Sequence, residues 1–183
     1  MKKTQNTKSI KRKYPLTLDG KPAKNWRNLG CFDGFDFAGL SFYGRPLTKK
    51  YFTNVKNLTW RKIEKVIDFF FCVKLPDGMD FSGVSLKGKY ICGIDFTKAK
   101  NLSARQLFEA EELDRVKLSD GMDFSGVSFK GKSIKGIDFS KVKNLTARHI
   151  FEADCLDYVI LPADIIPGVS LEGNTITIYK EKA

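Results

Sequence analysis

Large apolar residues recur in steps of five along much of this 183-residue chain. One series runs Phe81, Leu86, Ile91 and Phe96, and another runs Phe124, Phe129, Ile134 and Phe139. Neither a helix, with a period of 3.6, nor a strand, with a period of 2, sustains a period of five. A coil with four short sides does, because each step supplies one side and one corner, with the large residue pointing to the axis. Stacked coils would then pair like parallel strands, about 4.8 Å apart.

A longer repeat contains these steps. The segments GFDFAGLSFYG, GMDFSGVSLKG and GMDFSGVSFKG begin at Gly34, Gly78 and Gly121, so the repeat length is 43 to 44 residues. Each copy continues into KNLT or KNLS. The sequence therefore predicts three repeats over residues 34–160, an N-terminal cap or partial repeat over 15–33, and a partial repeat with a C-terminal cap over 161–183. Residues 1–14 are polar and basic, and we expect them to form a disordered arm.

The second half of each repeat has the pattern of a short helix. Ser103 and Gln106 form a capping-box pair, and Thr59 and Thr146 occupy the equivalent cap position. Leu107 and the apolar residues after it follow at one-sided helical spacing. We therefore expect two coils in each repeat, a regular coil and a coil in which a short helix replaces one corner.

The five-residue steps resemble the pentapeptide-repeat family, in which a small or apolar residue and Asp or Asn precede a large apolar residue. Met122-Asp123-Phe124-Ser125-Gly126 and Ile137-Asp138-Phe139-Ser140-Lys141 match this pattern well. The resemblance implies a mainly β fold, a right-handed quadrilateral β-helix or solenoid. Our predicted fold is that solenoid with a short α-helix inserted in each repeat of about 43 residues.

Stacked repeats place equivalent side chains in rows, and two rows of cations are the candidate partner-binding residues. The Lys row is Lys56, Lys100 and Lys143, and the Arg row is Arg61, Arg105 and Arg148. With two coils in each repeat, a row would present a cation roughly every 10 Å along one edge. Together with the net charge of +11, such rows suit phosphates or an acidic protein face. Alternatively, the rows are only a repeated solvated surface, with Arg105 and Arg148 paired to Glu109 and Glu152 four residues later.

Catalytic and metal-binding patterns do not emerge from the sequence. The Asp residues that precede the large apolar residues suit turns, where Asp bonds the backbone. The four cysteines have no CxxC spacing, and the single histidine, His149, cannot complete a zinc site with them. We therefore expect no enzyme, no cofactor and no metal, and cysteines that are reduced.

Two classes of function remain. Pentapeptide-repeat proteins include bacterial effectors, so the resemblance implies an effector-like protein-interaction module that binds a partner protein through a solenoid face. It would act in the bacterial cytoplasm or in a host cell after secretion, because no signal peptide or membrane span is evident. The alternative is binding of nucleic acid or an anionic membrane through the Lys and Arg rows and the basic arm. The family's DNA mimics depend on an acidic surface, which the positive net charge disfavours.

Overall fold

The computed structural model describes residues 14–17, 20–25, 29–40, 52, 54–63, 73–162, 165 and 175–176. Its helices are α1 (Trp60–Ile63), α2 (Ala104–Phe108) and α3 (Ala147–Glu152), and its strands are β1 (Val159–Ile160) and β2 (Thr175–Ile176). The predicted basic arm lies almost wholly outside the described residues.

Parallel backbone bridges connect residues about twenty positions apart. On the side that carries Asp80 the separation is 20, as in Asp80 to Lys100 and Asp123 to Lys143. On two other sides it is 22, as in Asp95 to Lys117 and Asp138 to Ile160. The separation is larger on these sides because α2 lies between Asp95 and Lys117, and α3 between Asp138 and Ile160. Each helix lengthens the coil that contains it. Two coils therefore account for each repeat.

The corners are tight turns at five-residue intervals. The Val84 amide donates to the Phe81 carbonyl at 3.1 Å, and Gly83 between them has φ of +63°. This left-handed conformation is the one that the third residue of a type II turn requires, and glycine adopts it without steric cost. Because a turn follows every side, most sides retain a single bridged residue rather than a long strand.

The large residues of the five-step pattern form the core, as predicted. Phe81, Leu86, Ile91 and Phe96 are each 0% exposed, and so are their counterparts in the next repeat. Six of the eight residues two positions earlier are also buried, namely Met79, Val84, Ile94, Met122, Val127 and Ile137. Aromatic rings stack from coil to coil, with Phe108 of α2 lying 4.4 Å from Phe129 of the next coil, centroid to centroid.

The helices begin where the caps were expected. Ser103 is the N-cap of α2, and its hydroxyl accepts a hydrogen bond from the Gln106 amide at 3.2 Å. Gln106 Oε1 accepts in return from the Ser103 amide at 3.0 Å, which completes the capping box. Thr146 is the N-cap of α3.

Antiparallel pairings bound the parallel stack at both ends. Leu16 pairs antiparallel with Asp36 at the start of the stack. At the other end β2 pairs antiparallel with β1, and Val159 faces Ile176. A chain that reverses direction cannot continue a parallel stack, so both pairings suit caps. From the coil spacing, the buried five-step residues and these ends, we propose the four-sided solenoid that the sequence predicts.

Candidate functional site

The three lysines of the Lys row occupy equivalent positions on one side of the stack. Lys56, Lys100 and Lys143 are exposed, and each pairs through its backbone with an aspartate of the preceding coil. The partners are Asp36, Asp80 and Asp123. The structure therefore places an acid beside every cation of this row.

Two of these aspartates, Asp80 and Asp123, are held in their ionised form. Asp80 Oδ1 accepts from Asn101 Nδ2 at 2.9 Å, from the Ser82 amide at 2.8 Å and from the Ser82 hydroxyl at 2.7 Å. The Asn101 bond, followed by the bonds from Ser82, lowers the pKa of Asp80 to about 2. Bonds from Asn144 and then Ser125 likewise lower the pKa of Asp123 to about 2.

The Lys row is consequently a column of mixed sign. Lys100 and Lys143 are close enough to Asp80 and Asp123 to contribute to the lowered carboxyl pKa values. A phosphate approaching Lys100 would also meet the charge of Asp80, which offsets part of the attraction. This arrangement weakens the row as a site for polyanions.

The three arginines of the Arg row are exposed, each as the second residue of its helix, but their surroundings differ. Arg148 Nε donates to Glu152 Oε1 at 2.7 Å, which is the ion pair expected from the sequence. Arg105 instead extends toward the next coil, where a Cβ added at Gly126 would lie 3.5 Å from its Nη2. Neither Arg105 nor Arg61 forms an ion pair with any residue that the structure describes. The row thus contains one neutralised cation and two that have no ion-pair partner among the described residues.

Several other described cations connect one coil to the next. Three exposed ion pairs are Lys98–Asp77, Lys117–Asp95 and Lys141–Asp120. Lys132 Nζ donates to the Ala110 carbonyl near the end of α2, at 2.6 Å. Surface ion pairs of this kind add little stability individually, but each one neutralises a cation on the face of the stacked coils.

Two neighbouring clefts occupy equivalent places in successive repeats. Their volumes are about 150 and 360 Å³. Equivalent residues line the two clefts. The first cleft contains Leu75, Asp77 and Lys98, and the second contains Leu118, Asp120 and Lys141. The leucines are buried and the ion pairs exposed, so each cleft has an apolar base and a charged rim. Thr97 lines both clefts, which makes them one continuous surface.

The net positive charge is not spread evenly along the chain. Residues 73–162 contain 14 Lys and Arg against 13 Asp and Glu, a net charge of +1. Residues 1–72 contain 16 against 5, a net charge of +11, whereas residues 163–183 contain 2 against 3. The excess therefore belongs to the first 72 residues rather than to the two repeats that contain most of the candidate rows.

The described part of the chain has no metal-binding cluster, and its buried cysteine has a raised pKa. No cluster of three or more His, Cys, Asp or Glu there could hold a metal ion. Cys92 and Cys155 are free thiols, and burial raises the pKa of Cys92 to about 12, which makes it a poor nucleophile. Cys72 lies outside the described residues. Among the described helices, none is long and apolar enough to span a membrane.

No protein-family model, curated protein or solved structure matches this chain. The pentapeptide-repeat resemblance therefore remains a prediction, and function has to be argued from the surface itself.

Proposed function

We propose that the chain is a non-catalytic protein-interaction module, an effector-like protein of pentapeptide-repeat type that binds a partner protein through the face containing the two clefts. One observation carries the proposal: equivalent clefts, apolar at the base and charged at the rim, recur in successive repeats of an electrically balanced stack. A protein surface offers apolar groups and charges of both signs, and these complement such a face.

The geometry favours a partner longer than a single small ligand. The clefts are two coils apart, which corresponds to about 10 Å along the stack, and Thr97 joins them. A partner segment that crosses both could bury apolar side chains against Leu75 and Leu118 while its polar groups meet the paired charges. By the family resemblance, the partner would be met in the bacterial cytoplasm or in a host cell.

Blocking the clefts tests this proposal. Thr97→Trp and Ser140→Trp together place bulk at both clefts. Ser82→Trp and Ser125→Trp form a matched control, because Ser82 and Thr97 each bond the aspartate two residues earlier, but on different sides of the coil. In pull-downs from nuclease-treated lysate, the cleft variant should lose partners that the wild-type chain and the control retain. Equal capture by both double variants would refute the proposed face.

A second candidate, polyanion binding, is favoured by the charge distribution. The net charge of +11 in residues 1–72 suits a nucleic acid or anionic lipid surface, whose attraction is salt-sensitive. Replacing Lys8, Lys11, Arg12 and Lys13 by Gln should then weaken duplex binding more than the Arg-row variant Arg61→Glu, Arg105→Glu, Arg148→Glu. If the wild-type chain binds no duplex and no anionic vesicle at low salt, this candidate fails.

A further inference from the structure

The third residue of each helix is different in the three repeats. It is Lys62 in α1, Gln106 in α2 and His149 in α3. Lys62 Nζ donates to the Phe37 carbonyl of the preceding coil at 2.9 Å. Gln106 Nε2 donates to the equivalent carbonyl, that of Phe81, at 3.0 Å. In these two repeats the position therefore fastens the helix to the coil before it.

Gln106 has a second role that a charged lysine cannot have. Its Oε1 accepts from the amide and the hydroxyl of Ser103, at 3.0 and 2.9 Å. An ammonium group is a donor only. Hence this position can cap its helix only when its side chain carries a lone pair.

His149 performs the accepting role in α3. Its Nδ1 lies 2.9 Å from the Thr146 amide nitrogen, and the Thr146 hydroxyl is also 2.9 Å from Nδ1. A backbone N–H can only donate, so Nδ1 must carry the lone pair and Nε2 must carry the proton of the neutral ring. The imidazole packs against the Phe129 ring, with centroids 5.1 Å apart.

We propose that His149 is a pH-sensitive cap, whose protonation releases the Thr146 amide and loosens the start of α3 as the pH falls. Protonation removes the lone pair of Nδ1, because both ring nitrogens of an imidazolium are donors. Histidine titrates between about pH 5 and 8. The cap is therefore present with the neutral ring and absent with the imidazolium.

The surrounding charges do not replace the lost bond. On α3 itself, Glu152 is near enough to be influenced by His149, but it is already bonded to Arg148 and to the Ser128 hydroxyl of the preceding coil. On that coil, Asp123 is the counterpart of the Asp36 carboxylate that attracts Lys62. In the structure both carboxylates accept from other donors, and neither accepts from the Thr146 amide.

The other repeats supply two matched variants that the fold already accommodates. His149→Gln reproduces the α2 arrangement and keeps an acceptor at every pH. His149→Lys reproduces the α1 residue, and its ammonium group offers no acceptor. Because the chain has a single histidine, its imidazole nitrogen signals in an NMR spectrum need no further assignment.

Amide exchange of Thr146 between pH 5 and 8, with all three proteins compared at each pH, tests the proposal on the full chain. The wild-type protection should match His149→Gln at pH 8 and fall roughly two- to fivefold toward His149→Lys at pH 5. The imidazole nitrogen shifts at pH 8 should show the proton on Nε2. The proposal would be overturned if the ratio of wild-type to His149→Gln protection of the Thr146 amide stayed constant from pH 5 to 8. A proton on Nδ1 at pH 8 would also overturn it.

Discussion

The side chain of Asn101 donates from Nδ2 to Asp80 Oδ1 at 2.9 Å, which connects the corner before α2 to the preceding coil. The same bond joins Asn57 to Asp36 and Asn144 to Asp123. In all three copies the asparagine has φ between +56° and +58°. Asparagine tolerates this left-handed conformation better than most residues, so it suits both the turn and the bond between coils.

Substitution of Asn101 should separate these two contributions. Asn101→Gly keeps a residue that favours the left-handed turn and removes only the side-chain bond, so we expect a loss of about 1 kcal/mol of unfolding free energy. Asn101→Ala also introduces backbone strain, which adds roughly 1 kcal/mol. Urea unfolding measures both values. Equal losses for the two variants would show that the turn conformation contributes nothing.

The lowered carboxyl pKa values predict a loss of stability in acid. Hydrogen bonds lower the pKa values of Asp80 and Asp123 to about 2 in the folded chain, below the ordinary value of 3.8. Stability from their ionised forms is therefore complete above about pH 4 and is lost as the pH falls toward 2. Carboxyl NMR titration should give midpoints near 2, and Asn101→Gly should raise that of Asp80 while leaving Asp123 unchanged. A midpoint near 4 for wild-type Asp80 would contradict the bonding described.

Phe108 and Phe151 occupy the same position in α2 and α3 but differ in burial. Phe108 is 6% exposed and contacts Phe124 and Phe129, whereas Phe151 is 58% exposed. Phe108→Ala should cost about 3 kcal/mol by leaving a cavity, and Phe151→Ala less than about 1 kcal/mol. Denaturant unfolding of both variants checks the difference. A comparable cost for Phe151→Ala would mean that this ring is covered in solution.

Alanine substitutions at Gly131 and Gly136 test how much space the corners leave for a side chain. Both have left-handed φ, but a Cβ at Gly131 meets nothing within 4 Å, whereas one at Gly136 would lie 2.9 Å from Arg115 Cγ. Gly131→Ala should cost about 1 kcal/mol through backbone strain alone. Gly136→Ala should cost more, since Arg115 must move as well. Thermal unfolding of the two variants compares them, and an equal cost would show that Arg115 yields freely.

The core and the caps could be predicted from sequence because both depend on local periodicity. A step of five identifies Phe81 and its successors as inward residues, and the spacing of Ser103 and Gln106 identifies the helix start. The partners of surface residues are harder to predict, because they depend on which coils become neighbours. Asn101 and Asp80 are 21 residues apart, and only the coil length of this side brings them together.

The cation rows are a second case in which the sequence does not predict the partners of surface residues. Equivalent lysines and arginines are visible in the sequence, but the aspartate beside each row lysine belongs to the preceding coil. The two clefts also combine residues from successive coils, so no contiguous motif marks them. The sequence also does not reveal the role of His149, because the equivalent residues in the other copies are Lys62 and Gln106. The structure places it half-buried against Phe129, as the acceptor that caps α3.

Long-range NMR contacts between backbone protons test the stacked-coil account most directly. Stacked coils should give contacts in parallel register between Asp80 and Lys100, separated by 20 residues, and between Asp95 and Lys117, separated by 22. The next repeat should show the same contacts from Asp123 to Lys143 and from Asp138 to Ile160. Stacking in parallel coils would be contradicted by contacts in antiparallel register. It would also be contradicted if the contacting residues were not separated by 20 positions on the side of Asp80 and by 22 on the side of Asp95.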